Sequence, residues 1–538
     1  MEKQADETRN QFLNWTVYQI YPRSFYDANG DGIGDINGVI EKLDHLVALG
    51  VNAIWLCPCY QSPNADNGYD VSDYRAIAPE FGTMEDWQRL RDETKKREIN
   101  LIMDLVANHT SDQHDWFRQA RSSRENPYHD FYIWADTPPN DWQSVFGGSA
   151  WQFNEPTQEY YLHSFAIEQP DLNWENPRVR EAMCAVVDFW TDKGVDGFRC
   201  DVLDFISKDI RGGKMFQGPR LHEYIRQLFD RPKTKRLFTV GECQADEAYT
   251  LQLCGKQRGE LTTAFQFDHV RLGETNKYLP LDFTFDDLRN ILVKWQNFTQ
   301  ENDLLYTLFT DNHDQPFFLS RYGNDRALRY ECATAFAALF YLLRGIPFIY
   351  QGQEFGSVNS FFDDIEQFDD VETHNYYKAH KDKISETELM QQINRGSRDN
   401  ARRPMAWTKN EATMYGFTTK KPWFAPPSRA DEINLETDRN SQKSVFAFYQ
   451  KLLAFRKENE VIRQGDFTDM TTESGSFIYQ RRYGESRAIV ACNFDKEQAL
   501  TMPTLFNREN FRFALGNYGE QSPSAPFRPF EVRVFLKT

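Results

Sequence analysis

Short apolar runs recur along most of the chain, several of them closing on a polar or charged residue. They are Val17–Tyr21, Ala53–Cys57, Leu101–Val106, Val195–Asp201, Leu237–Glu242, Ala264–Phe267, Tyr306–Asp311 and Pro347–Gln351. Runs of this length rich in Val, Ile, Leu and Phe read as strands buried on both faces. The stretches between them, such as Ile36–Leu49 and Met84–Arg97, carry apolar positions at helical spacing. Strand and helix in alternation predict a parallel sheet, and eight such strands predict an α/β fold, a (β/α)8 TIM barrel.

Two segments break the rhythm. Residues 109–177 are rich in Trp, Tyr, Asn, Gly and Pro and read as a small irregular domain inserted after the third strand. From residue 464 to 538 the pattern changes to short alternating segments, among them Phe477-Ile-Tyr-Gln, Ala488-Ile-Val-Ala and Val532-Arg-Val-Phe-Leu, which predict a C-terminal β-sandwich. Residues 1–108 and 178–463 are then the barrel.

The net charge of −18 and the lack of a long basic run argue against nucleic acid or an anionic membrane as partner and suit a neutral substrate. The start of the chain, Met1 to Glu7, is charged, and the most apolar stretch, Ala335–Leu343, is too short to span a bilayer. Eight cysteines lie scattered without a C-x-x-C pair, so reduced thiols and a cytoplasmic location are expected.

Candidate chemistry collects at the strand ends, where a barrel places its active site. The ends carry Asp104 and His109, then Arg199 and Asp201, then Glu242, then His313 and Asp314. Arg199 and Asp201 are two apart in a strand and so face one side. A guanidinium there is expected to hold Asp201 ionised with a lowered pKa. Paired carboxylates are what glycoside hydrolysis needs. Separately, Asp27, Asn29, Asp31 and Asp35 occupy the first, third, fifth and ninth positions of a calcium-type loop, with Gly32 at the sixth and the Ile33 carbonyl at the seventh. The twelfth position is Gly38 rather than glutamate, so the loop is not an EF-hand.

These residues resemble the signature regions of the α-amylase superfamily of glycoside hydrolases. Asp104-Leu-Val-Ala-Asn-His109, Gly197-Phe-Arg-Cys-Asp201, Val240-Gly-Glu242 and Asn312-His-Asp-Gln-Pro316 match its four signature regions. Gln169-Pro-Asp-Leu-Asn173, Asp66-Asn-Gly-Tyr-Asp70 and Arg398-Asp-Asn-Ala-Arg402 are similar to the oligo-1,6-glucosidase subgroup. The resemblance implies a retaining mechanism with Asp201 as nucleophile, Glu242 as general acid and then base, for which a raised pKa is needed, and Asp314 as a third carboxylate on the sugar. It also implies that His109, His313 and Gln169 lie against the bound glucose, that Tyr69 stacks on it, and that an Asp66–Arg402 pair closes the pocket. A structural Ca2+ is implied at Asp27, Asn29, Asp31, Ile33 and Asp35, with no organic cofactor.

The expected activity is exo-acting α-glucosidase action on short α-1,6-linked gluco-oligosaccharides of the isomaltose type, by a monomer. The competing readings are hydrolysis of trehalose or trehalose-6-phosphate, sucrose-active transglucosylation or isomerisation, and α-1,4-active α-glucosidase action. A non-catalytic transporter-associated relative would carry a membrane-spanning helix and lack the carboxylates. Val202, next to the nucleophile, resembles the residue of α-1,6-specific members. The chain departs from the subgroup at Phe317-Phe318, Arg403 and Ala406, and these departures are expected on the side of the leaving group.

Overall fold

A computed structural model describes residues 11–256, 260–494, 496–503, 506, 510–522 and 524–537. The charged stretch Met1 to Glu7 lies outside them. Eight parallel strands form the central sheet: β1 (Val17–Ile20), β2 (Ala53–Leu56), β3 (Asn100–Val106), β4 (Gly197–Asp201), β5 (Phe238–Gly241), β6 (Thr263–Ala264), β7 (Thr307–Leu308) and β8 (Ile346–Tyr350). Their order in space is β6-β5-β4-β3-β2-β1-β8-β7. This is a barrel closed by ladders everywhere except between β6 and β7. There the gap is spanned by hydroxyls, with Thr263 Oγ1 donating to the Leu305 carbonyl at 2.7 Å and Thr307 Oγ1 to that of Ala264 at 3.4 Å. Both strands are shorter than their apolar runs suggest, because side-chain bonds replace the ladder there.

Register decides what the barrel presents at its mouth. Asp104 of β3 pairs with Arg199 of β4, and Val106 with Asp201, while Val240 of β5 also pairs with Arg199. The polar ends of three adjacent strands therefore reach one level.

The helical stretch expected over Ile36–Leu49 is two helices, α1 (Ile36–Glu41) and α2 (Leu43–Leu49), broken at Lys42, whose φ and ψ are −101° and 2°. The ammonium of Lys42 lies 3.6 Å from the Tyr26 ring centroid, a cation–π contact that a straight helix gives no reason to expect. By contrast α3 (Met84–Lys96) runs as expected, started by a reciprocal capping box between Thr83 and Asp86. α4 (Pro177–Lys193) begins with proline in its first turn and stops at Gly194, in the left-handed region at φ 96°.

Within the insertion, Trp134–Ala135, Glu159–Leu162 and Trp151–Asn154 make a small antiparallel sheet. The C-terminal segment differs from the expected pair of stacked sheets. Its described residues form one antiparallel sheet, β9 (Asp466–Asp469), β10 (Ser476–Tyr483), β11 (Ser486–Asn493), β12 (Arg512–Gly516) and β13 (Glu531–Lys537), in the order β9-β10-β11-β13-β12. The second layer is the barrel. Phe477, Tyr479, Val490, Cys492, Val532 and Val534 join the main core, whereas Ile478, Ile489 and Ala491 form a small cluster on the other face. The period of two was legible, but an apolar face does not say whether sheet or helix will cover it. Among the described residues no helix is long and apolar enough to cross a membrane.

Candidate active site

Arg199 is the hub of the strand ends. Its Nη1 donates to Asp104 Oδ1 and to Asp201 Oδ1, both at 2.8 Å, and its Nη2 donates to Glu242 Oε2 at 2.5 Å. One guanidinium thus serves three carboxylates. Asp104 is held further by Trp55 Nε1 at 2.9 Å and by the Tyr69 hydroxyl at 3.2 Å. The expected lowering of Asp201 is reversed: burial pushes its carboxyl well up, against Arg199, and the neighbouring Glu242, Asp104 and Asp314 add to the rise. Burial likewise raises Asp104, to about 6, against Arg199. A single cation does not offset the desolvation of these carboxylates, which is why both shifts run upward.

A second cluster centres on Asp314, whose side chain is exposed at 27%. Arg402 Nη2 donates to Asp314 Oδ1 at 2.8 Å and its Nε to the His313 carbonyl at 3.0 Å. Arg398 Nη1 donates to the same Asp314 oxygen at 3.1 Å. Burial alone would raise Asp314, but the guanidiniums of Arg398 and Arg402 hold it well below the usual carboxylate range. The two carboxylate groups therefore sit in opposite electrostatic environments.

The expected Asp66–Arg402 pair is not the contact made. Asp66 Oδ1 pairs with Arg398 Nη2 at 3.5 Å and its Oδ2 accepts from Gln169 Nε2 at 3.1 Å. Arg402 turns to Asp314 instead. Arg398 is itself fixed by the buried Asp370, which accepts its Nε at 3.0 Å and its Nη2 at 2.6 Å and also caps helix α5 (Val371–His380). Sequence reasoning placed Arg398 in a motif but gave it no role, and missed Asp370. The signal for Arg398 was its place four residues before Arg402, one helical turn away on the same face.

The histidines line the remaining wall. His313 Nδ1 lies 2.8 Å from Gln19 Nε2, and its Nε2 is 2.7 Å from the Tyr69 hydroxyl. Its ring is parallel to that of Tyr69 within 8° at 5.3 Å. His109 Nε2 lies 3.0 Å from Gln169 Nε2. Burial pushes both rings down, His313 to about 3 and His109 to about 4, so both are neutral near pH 7.

Val202 follows β4 in the left-handed region, at φ 34° and ψ 47°, a costly place for a β-branched residue. The turn brings its amide within 3.3 Å of Glu242 Oε2, and the Leu203 amide within 3.1 Å of the Glu242 carbonyl. Val202 packs beside Phe146, Phe165, Phe205 and Phe216, so the wall next to Asp201 is apolar.

The departures at Phe317, Arg403 and Ala406 are not on that wall. All three border a small cavity of about 30 Å3 shared with Asn400 and Ala401. Arg403 is buried under Phe362 at 3.6 Å and Phe424 at 4.3 Å, and donates to the carbonyls of Ala425 and Gln367. The expectation that they border the leaving group is corrected: adjacency to Arg402 in sequence put Arg403 on the opposite face of the segment.

In the calcium-type loop Asp27, Asn29 and Asp31 each accept loop amides, from Gly30 and Gly32, from Asp31, and from Ile33 respectively. Asp35 caps α1 and accepts the amides of Ala28 and Asn29. Asp27 and Asp35 are buried, and neither forms an ion pair with a cationic side chain among the described residues. Among those residues no three His, Cys, Asp or Glu side chains converge as a metal cluster, so a cation here needs the Asn29 and Ile33 oxygens as well. Buried carboxylates without a counter-charge and an all-oxygen donor set fit a hard cation.

The catalytic-domain model of the alpha-amylase family matches residues 19–465. An oligo-1,6-glucosidase of Halalkalibacterium halodurans is 43% identical, over 97% of this chain and 98% of the relative. A trehalose-6-phosphate hydrolase of Bacillus subtilis is 41% identical, over 97% of each. A crystal structure of a trehalose-6-phosphate hydrolase from Bacillus licheniformis superposes with a TM-score of 0.93 at 39% identity, covering 98% of this chain and 99% of that one.

Proposed function

The chain belongs to the α-amylase family, and from that premise we propose that it is a retaining, exo-acting α-glucosidase releasing glucose from the non-reducing end of short α-1,6-linked oligosaccharides. The observation that carries the reading is the sharing of the Arg199 guanidinium by Asp201 and Glu242, one carboxylate on each terminal nitrogen. That arrangement supports the close spacing of a nucleophile–acid pair rather than the wider one that leaves room for a water.

In this reading Asp201 attacks the anomeric carbon while Glu242 gives its proton to the departing glycosidic oxygen. The C–O bond to the leaving sugar breaks and a β-glucosyl ester to Asp201 forms. Water then attacks the ester, Glu242 takes the water's proton, and α-glucose leaves with Asp201 restored. Asp314, kept ionised by Arg398 and Arg402, faces the positive charge that develops on the sugar ring. The wall formed by Asp66, Arg398 and Arg402 closes the pocket behind one glucose, which accounts for exo action.

The α-1,6 preference is supported by the relatives named oligo-1,6-glucosidase and by the apolar wall at Val202. Trehalose-6-phosphate hydrolysis fares less well, because a phosphate needs available cations. Arg403 lies beneath aromatic rings with its two terminal nitrogens donating to backbone carbonyls, and Lys277 is paired with Glu372. We also propose a structural Ca2+ at Asp27, Asn29, Asp31, Ile33 and Asp35, and a cytoplasmic monomer acting without nucleic acid, membrane or organic cofactor. The location is supported by the free thiols at Cys57, Cys59, Cys184, Cys200, Cys243, Cys332 and Cys492. The test is incubation with isomaltose, maltose, trehalose, trehalose-6-phosphate and sucrose in parallel, with the products identified. Isomaltose should be cleaved with the highest kcat/KM, and faster turnover of any of the others would overturn the assignment.

A further inference from the structure

The ladder between β4 and β5 ends at Cys200 and Gly241, and the Glu242 amide donating to the Cys200 carbonyl at 2.9 Å is its last bond. Beyond it one chain turns at Val202 while the other runs on through Cys243 and Gln244. Asp201 is the last residue of β4 and Glu242 the first after β5, so the two stand where regular pairing gives out. Arg199 Nη2 and the Val202 amide both approach the same Glu242 oxygen, Oε2. Two bonds to one oxygen make a pivot, and the backbone at the other end of the side chain must also be held if Oε1 is to meet a leaving oxygen.

Asp204, to which the sequence assigned no role, holds that backbone. It follows Asp201 by three residues, in the short helical turn Leu203–Ile206, and is 1% exposed. Its Oδ2 accepts the amide of Gln244, two residues past Glu242, at 2.9 Å. Its carbonyl accepts the Gln217 amide at 2.8 Å, and Gln217 Nε2 donates to the Gln244 carbonyl at 2.8 Å. The Leu203 amide donating to the Glu242 carbonyl at 3.1 Å closes a ring of four bonds across the two strand ends. The Asp204 carboxyl is pushed up to about 6 by burial, and Glu242 adds to the rise, so the two carboxyl groups are near neighbours.

From this geometry we infer that Asp204 is a positioning residue for the acid/base: by binding the Gln244 amide it ties the end of β5 to the nucleophile turn and sets the reach of the Glu242 carboxyl from Asp201. The inference rests on the α-glucosidase reading for the roles of Asp201 and Glu242, though not for the clamp itself.

The experiment compares wild type with Asp204→Ala and Asp204→Asn. On isomaltose, whose leaving sugar needs a proton, Asp204→Ala should lower kcat/KM about a hundredfold, the scale of a misplacement of about 1 Å. On α-glucosyl fluoride, whose leaving group needs no proton, kcat/KM should change little. Asp204→Asn keeps an oxygen for the Gln244 amide and should recover most of the loss on isomaltose. Hydrogen exchange of the segment around Gln244, read by mass spectrometry without substrate, should quicken in Asp204→Ala and stay near wild type in Asp204→Asn. If Asp204→Ala does not fold, Asp204→Glu, which keeps the charge and moves the oxygen by one methylene, takes the same measurements. An equal loss on the two substrates, or wild-type exchange around Gln244 in the variant, would overturn the clamp. If wild type cleaves neither substrate the functional reading fails instead, and the exchange data still decide whether Asp204 holds Gln244.

Discussion

Asp201 and Glu242 hang from the two terminal nitrogens of Arg199, at 2.8 Å and 2.5 Å. Replacing either should therefore disturb chemistry more than folding. Asp201→Asn and Glu242→Gln should each lower kcat by several orders of magnitude with melting temperature nearly unchanged, and Glu242→Gln should lose far less on a substrate whose leaving group needs no proton. The first glucose released by wild type should be the α-anomer in time-resolved NMR. Early β-glucose would exclude the double displacement.

Val202 combines a strained backbone with a place on the apolar wall beside the nucleophile. Val202→Ala should raise kcat/KM on maltose relative to isomaltose by roughly tenfold, since a methyl or two in a pocket is worth about 1–3 kcal/mol of discrimination. A changed melting temperature with an unchanged ratio would reduce Val202 to packing.

Asp311 is buried, accepts the Phe318 amide at 2.6 Å and a bond from Thr310, and is pushed up to about 6 chiefly by burial. A carboxyl raised in the folded state stabilises most below its unfolded pKa near 4, and that stability is lost as pH rises through the folded value. Asp311→Asn should therefore gain on wild type between about pH 4 and pH 6, by at most about 3 kcal/mol for two pKa units. Urea melts at pH 4, 5, 6 and 7 measure the difference; one that stays flat would show that Asp311 stays ionised throughout.

Removing a cation from the Asp27–Asp35 loop should lower the melting temperature more than it lowers activity at ambient temperature, because the loop contributes no side chain to the carboxylate clusters. Asp27→Ala should reproduce the effect and abolish any further response to chelator. A melting curve indifferent to chelator, with metal loss verified, would leave the loop held by its own amide bonds.

Much of this protein was legible before any coordinates. The eight barrel strands follow from runs of apolar residues that need cover on both faces, and the candidate groups follow from what ends each run, because strand periodicity and strand ends are local properties. Arg199 and Asp201 facing one side is of that kind, a consequence of the two-residue repeat in β4. What local sequence does not carry is which partner a charged group finds when several stand within reach. Asp66 meets Arg398, 332 residues away, rather than Arg402, and that choice is made by Asp370 holding the guanidinium in place. The direction of Asp201 was missed for the same reason: Arg199 is its neighbour in sequence, but Asp104 and Glu242 claim the same cation only once three strands align. Arg403, one residue from the pocket, turns into an aromatic box because Phe362 and Phe424 arrive from elsewhere in the chain. Desolvation and charge sharing depend on everything that surrounds a group, and that is fixed by packing across the barrel rather than by the order of residues along it.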